Sequence, residues 1–197
     1  MDVEAAELLV VCKANLCRSP VAAQLLADRL GEQGLAAVVR SRGLLPSGMA
    51  SPERYVEICA ERGIELEAHR SAELAPGDLE GADLVLPMTR ELLRELVVRE
   101  PACWPKAFTL RELVRRGVER GPKLAGEDLR GYLERLGEGR ERRDLLGSSR
   151  EDDVADPVEL GTVEEIREVL DDLATLCAQA AQLLAGAPVA PDASTGA

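Results

Sequence analysis

The chain has 197 residues, 46% hydrophobic and 30% charged, which suits one domain with a sizeable core or a domain plus a tail. Acids outnumber bases 36 to 24, a formal net charge of −12, which argues against nucleic acid or anionic membranes as partners because phosphate backbones need a basic face. No apolar run approaches the roughly 20 residues of a membrane helix, and Met1-Asp2-Val3-Glu4 does not read as a secretion signal, so a cytoplasmic location is expected.

Leu8-Leu9-Val10-Val11 reads as a buried strand. Ser19-Pro20 opens a helical pattern through Leu30, with Ser as the cap and Pro in the first turn; Gly31 and Gly34 end it. Ala36 to Val39 is a second strand. Ser51-Pro52 starts a helix to about Arg62, ended by Gly63. Ala82 to Leu86 is a third strand, and Thr89 then starts a helix carrying Leu92, Leu93, Leu96 and Val97 on one face. Ala107-Phe108 is a short fourth strand. Thr109 and Glu112 form a capping box for the next helix, which Gly121-Pro122 breaks. Residues 123–150 are charged and Gly-rich, with a short helical stretch at Leu129, Leu133 and Leu136, and read as largely solvated. A second capping box, Thr162 and Glu165, opens an amphipathic helix through Cys177. Strands alternating with helices predict an α/β fold: three layers, with a four-stranded, mostly parallel sheet and helices on both faces. Ligands of such sheets sit beyond the carboxyl ends of the strands, where the loop from Val11 to Ser19 lies.

Five cysteines at irregular spacing, with no C-x-x-C and a single histidine, His69, indicate neither a disulfide framework nor a metal site. No cofactor is expected. Aromatic residues make up only 2%, which argues against an aromatic-lined pocket.

The chemistry concentrates in Cys12-Lys13-Ala14-Asn15-Leu16-Cys17-Arg18-Ser19-Pro20, a C-x5-R-S pattern between a strand and a helix. A sulfur near a helix N-terminus is favoured as thiolate, and the same free amides bind tetrahedral oxyanions. Five intervening residues can wrap their N–H groups around one anion, and Arg18 offers two of its oxygens a charged fork. Ser19 can hydrogen-bond the sulfur. The arrangement suits attack of sulfur on a phosphoryl group followed by hydrolysis of the thiophosphate. The plainer alternative is a half-buried Cys at a strand end and a capping Arg.

The segment Val10 through Pro20 resembles the phosphate-binding loop of the low-molecular-weight protein tyrosine phosphatases. Ser41 after the second strand, Ile64-Glu65-Leu66-Glu67-Ala68-His69, Asp83 to Met88 and Asp153-Val154-Ala155-Asp156-Pro157 resemble further family stretches, in the family's order. The resemblance implies Cys12 as nucleophile, Arg18 as phosphate clamp and Asp156 as general acid and base, with Asp153 as the alternative acid. It implies a phosphate loop of Lys13, Ala14, Asn15, Leu16, Cys17 and Ser19. It also implies a left-handed Asn15 supported by Ser41 and His69, and a phosphotyrosine protein or aryl phosphate as substrate. A redox pairing of Cys17 with Cys12 is a further expectation carried over from relatives. The domain is expected to span 1–185, elaborated over about 121–155, with a disordered tail at 186–197.

Several residues depart from the family. Ala14 replaces a usual Gly, which is expected to shift the loop; Arg42 stands between Ser41 and Gly43; Val158 and Glu159 replace flanking aromatics. Two alternatives follow. One is an arsenate reductase on the same fold, disfavoured because Pro87-Met88 occupies the place of a thiol and Cys103 stands alone. The other is a non-catalytic phosphate- or phosphopeptide-binding module.

Overall fold

A computed structural model describes residues 5–147, 149–158 and 162–187. Strand β1 (Ala6–Val11) lies between β2 (Ala37–Arg42) and β3 (Leu84–Pro87), and both pairings are parallel. Ala6 pairs with Ala37 and the register runs to Val11 with Arg42; Leu8 pairs with Leu84 and runs to Val11 with Pro87. Parallel neighbours need crossovers. Helix α1 (Arg18–Glu32) supplies the first, and α2 (Glu53–Ala60) and the single turn α3 (Asp78–Gly81) lie in the second. The carboxyl ends of all three strands therefore share one edge. Helices α4 (Arg90–Arg99), α5 (Leu110–Arg120), α6 (Leu129–Gly137) and α7 (Val163–Ala185) follow β3.

Successive residues are buried along β1 from Leu8 to Val11 and along β3 from Leu84 to Pro87. Side chains alternate between faces along a strand, so both faces of these two strands are covered. In α1, Ala22, Leu26 and Leu30 recur every fourth residue and make one buried stripe. That stripe packs on α7, whose Val169, Leu170, Leu173, Leu176 and Cys177 are buried in turn. The Cys177 thiol donates to the Ala22 carbonyl at 3.6 Å across the contact. Thr162 and Glu165 form both halves of the expected capping box, and Gly186 closes α7 in a left-handed conformation at φ 85°. Glu159, and the expected tail beyond Ala187, lie outside the described residues.

Three expectations need correction. Among the described residues the sheet has three strands, not four: Ala107 makes a single parallel bridge to Val85, and the Phe108 amide donates to the Val85 carbonyl at 3.0 Å. A 3-10 turn (Pro101–Lys106) consumes the residues before it, and Thr109 already caps α5, so no length remains for a fourth strand. Ser19 does not cap α1: its hydroxyl serves the sulfur of Cys12, while Ser51, just before α2, donates to the Leu16 carbonyl at 2.6 Å. In the Thr109–Glu112 pair, Thr109 accepts from the Glu112 amide, but the Glu112 carboxylate turns to Arg116 and Arg140.

The stretch after α5 is also less solvated than its composition suggests. Helix α6 buries Tyr132, Leu133 and Leu136. Arg140, 4% exposed at its side chain, stacks on Trp104 and Phe108 with its guanidinium carbon 3.9 and 3.8 Å from the ring centres. It also pairs with Glu112 at 2.8 Å and donates to the Ala107 carbonyl at 2.7 Å. Burial lowers its pKa, but the carboxylate and the ring faces keep the charge compensated. One buried guanidinium thus anchors the segment after α6 to the core.

Candidate active site

The loop from Cys12 to Cys17 leaves the end of β1 and enters α1, and its shape is held from four directions. Asn15 is the single non-glycine residue at positive φ among the described residues, at 53°. Its amide group explains why that conformation persists. The Nδ2 donates to the hydroxyls of Ser19 and Ser41, each at 2.9 Å. Its Oδ1 accepts from the Ala72 amide at 2.8 Å, and its main-chain carbonyl meets His69 Nε2 at 2.7 Å. A carbonyl can only accept, so the His69 proton sits on Nε2. Asn tolerates the left-handed region better than other side chains, and here every polar atom of the side chain is used.

The structure thus brings Asn15, Ser19, Ser41 and His69 together around the loop. Ala14 is not at positive φ, so its Cβ introduces no backbone strain, and the expected disturbance of the loop does not arise. Gly43 is needed for a different reason: a Cβ there would stand 2.7 Å from the Asn15 nitrogen and 2.8 Å from the Ala14 carbonyl carbon. The chain after β2 therefore packs directly on the loop backbone. Arg42, the unusual residue before it, turns away to an ion pair with Asp78 at 2.9 Å.

At the centre is Cys12 Sγ, which accepts from the Asn15 amide at 3.2 Å and from the Ser19 hydroxyl at 3.0 Å. Both contacts bring partial positive charge to the sulfur. Helix α1 starts without a side-chain cap: Cys17 occupies the cap position and makes no capping bond. The amides of Ala14, Leu16, Cys17 and Arg18 consequently donate to no protein acceptor among the described residues. Uncapped helix amides next to a curled loop form an anion-binding concavity. Arg18 is 5% exposed. One guanidinium nitrogen donates to the Val154 carbonyl at 3.1 Å, and another pairs closely with the Asp156 carboxylate.

Asp156 reaches the site on a segment tied to the frame through the residues just before it. The Val154 amide donates to the Met88 carbonyl at 2.8 Å. Asp153 accepts from the Arg90 amide at 2.7 Å, in the first turn of α4. Asp152 is buried and forms a two-point pair with Arg115 at 3.0 and 3.1 Å. Asp153 is therefore occupied at a helix N-terminus, whereas Asp156 faces the loop.

Between loop and segment lies a cleft of about 480 Å³. Its walls include Lys13, Thr89, Glu91, Leu92, Arg150 and Val154, and no lining residue is aromatic. Lys13 is half exposed and 3.8 Å from Glu95. Leu16 packs against the core, and Cys17 is buried; burial, with Cys12 nearby, pushes the Cys17 thiol up to about 12. No local signal in the sequence marks the Ala72 amide, the Ser51 contact to Leu16 or the placement of Arg150. Each depends on segments far apart along the chain.

Among the described residues no group of His, Cys, Asp or Glu is arranged to hold a metal ion, and no helix is long and apolar enough to cross a membrane. The loop, its arginine and the α/β frame define a phosphate-binding enzyme class. Residues 7–120 match the model of the low molecular weight phosphotyrosine protein phosphatases, and the chain belongs to that family. It is 33% identical over 131 residues to a probable low molecular weight protein-tyrosine-phosphatase EpsP of Ralstonia solanacearum, covering 65% of this chain and 88% of that protein. It is 37% identical over 110 residues to a protein-arginine-phosphatase of Bacillus subtilis, covering 55% and 72%. Among solved structures, a YwlE mutant from Bacillus subtilis superposes with a TM-score of 0.66 at 27% identity, covering 90% of this chain and 97% of that one. The low molecular weight protein tyrosine phosphatase from T. tengcongensis gives 0.64 at 28% identity, with 89% and 97% covered.

Proposed function

We propose that the chain hydrolyses phosphate monoesters of proteins, with phosphotyrosine as substrate, through a phosphoryl group carried on Cys12. One observation carries this reading. A single curled loop gathers a sulfur that accepts an amide and a hydroxyl, a set of unpartnered amides, and the Arg18 guanidinium. The phosphoryl oxygens take the loop amides and the fork of Arg18, which exchanges Asp156 for the substrate. Asp156, released from Arg18, takes up a proton from solvent water and then faces the leaving oxygen. The Cys12 thiolate attacks phosphorus; the S–P bond forms as the ester P–O bond breaks, and Asp156 gives its proton to the phenolate. Water attacks the thiophosphate next. Asp156 takes its proton, the S–P bond breaks, and inorganic phosphate leaves. The Ser19 hydroxyl stabilises the departing sulfur. Each proton and bond in this sequence is handled by the chain's own residues and water.

Asp156 is assigned the acid because Asp153 is engaged at the Arg90 amide. All five cysteines are free, which supports a reducing, cytoplasmic setting. The arsenate-reductase alternative gains no support: Cys59, Cys103 and Cys177 are each 0% exposed on separate elements.

A second substrate, phosphoarginine, is favoured by one observation. The cleft offers no aromatic wall to a phenol ring but presents the Glu91 carboxylate, which suits a guanidinium leaving group, and a relative bears the name protein-arginine-phosphatase. The test measures hydrolysis of an aryl phosphate, a phosphotyrosine peptide and a phosphoarginine peptide in chelator. Turnover of the first two that vanishes in Cys12→Ser supports the proposal. Preference for phosphoarginine selects the second reading, and phosphate binding without any turnover selects the non-catalytic module.

A further inference from the structure

Arg150 stands at the mouth of the cleft with its side chain exposed. Among the described residues it makes no ion pair and no side-chain hydrogen bond, a condition that it shares with only one other arginine, Arg54. This is unexpected in a chain with 36 acids, and more so because Glu151, Asp152 and Asp153 follow it directly. The aspartates of this segment are engaged elsewhere. Asp152 is taken by Arg115, Asp153 by the Arg90 amide, and Asp156 by Arg18. Glu151 is exposed.

The backbone around Arg150 is fixed on both sides. Before it, a 3-10 turn (Arg142–Leu146) buries Leu145 against α4, where Arg94 donates to the Leu145 carbonyl at 3.3 Å and Arg90 to the Asp144 carbonyl. After it, the Asp153 amide closes a turn on the Arg150 carbonyl at 3.0 Å. The segment is thus docked on the helix that forms one wall of the cleft, and it lies outside the residues 7–120 that match the family model. The other charged residues lining the cleft are Lys13, which leans on Glu95, Glu91 on α4, and the already engaged Arg18, Asp153 and Asp156.

We infer that Arg150 is a specificity-determining residue that reads an acidic side chain next to the phosphorylated residue of a peptide substrate. This rests on the phosphatase reading above and names the kind of phosphopeptide the cleft prefers. A carboxylate there would meet the free Arg150 guanidinium in a cleft that Lys13 and Glu91 also line. An Arg–carboxylate contact at a partly exposed rim is modest and salt-sensitive.

Two phosphotyrosine peptides that differ only in Glu or Gln beside the phosphorylated residue test this. The readout is their ratio within each variant, so that a general loss of activity cancels. Wild type is expected to favour the Glu peptide by about 3- to 10-fold, in KM rather than kcat, and to lose the preference at high salt. Arg150→Ala should bring the ratio near one, Arg150→Glu should invert it, and Arg150→Lys should restore part of it. Binding of the same peptides to Cys12→Ser gives the ratio without turnover. An absent preference in wild type, or one that survives in Arg150→Ala, overturns the inference. If wild type fails to hydrolyse even an aryl phosphate, the phosphatase reading falls, and the binding ratio still decides the role of Arg150.

Discussion

The loop from Cys12 to Ser19 and the segment from Ser149 to Val158 face each other across one cleft, yet they are held in opposite ways. The loop is fixed by Ser19, Ser41, His69 and the Ala72 amide around a single residue, Asn15. The facing segment is fixed through Asp152, Asp153 and the Val154 amide. Among the described residues its Arg150 is free, and its Asp156 is tied only to Arg18 and to the amide of Val158. The proposed nucleophile and anion cradle are preorganised, which is where electrostatic catalysis gains most. The proposed proton donor, Asp156, sits on the part that would exchange partners during turnover.

The largest effect should fall on the exchangeable side. Asp156→Asn is expected to lower kcat by about 10²- to 10⁴-fold on a peptide substrate, the loss typical of a general acid. Asp153→Asn should cost much less in kcat and show mainly as lower stability. A reversal between these two in steady-state kinetics would move the acid to Asp153.

Breaking the buried anchor behind the segment comes next. Arg140→Ala leaves Glu112 with Arg116 alone and uncovers two ring faces, with an expected cost of about 3 kcal/mol in denaturant unfolding. A cost near zero would mean that the segment docks without Arg140.

On the preorganised side, Asn15→Ala should cost about 1–3 kcal/mol, because the Ala72 amide loses its acceptor and alanine resists positive φ. Asn15→Gly removes the same bonds but accepts the conformation. The difference between the two in thermal unfolding isolates backbone strain from anchoring, and equal losses would assign the whole effect to the lost bonds.

The smallest effect concerns Cys17, the buried thiol of the same loop. Burial holds its pKa at about 12, above the ordinary value of 9.0. The folded state therefore keeps the proton longer than the unfolded chain does. The stability linked to this proton is complete below about pH 9 and is lost as pH rises through about 12. Alkylation mapped by mass spectrometry at neutral pH should leave Cys17 unlabelled in the folded protein; rapid labelling would contradict the burial.

The same contrast separates what could be read in the sequence from what could not. The strand–loop–helix around Cys12 is local: its hydrophobic run, its C-x5-R-S spacing and its helix are all contained in one short stretch. The capping box of Thr162 and Glu165 is local too, and both halves form. Ser19 misled because a partner outside the helix, the sulfur of Cys12, outcompetes a helix cap. Ala107-Phe108 has strand chemistry but only one bridge, since its neighbours are committed to a 3-10 turn and to α5. The position of Arg140 depends on Trp104, Phe108 and Glu112, which lie well upstream in the chain, and left no periodic trace.

The most direct test of the central claim is a rapid acid quench of Asp156→Asn mixed with p-nitrophenyl phosphate, followed by peptide mass spectrometry. The good leaving group departs without help, while hydrolysis of the thiophosphate lacks its base. One phosphoryl group on the peptide that carries Cys12, absent from a Cys12→Ser control, is the predicted result. Turnover with no adduct, or an adduct on another residue, would contradict it.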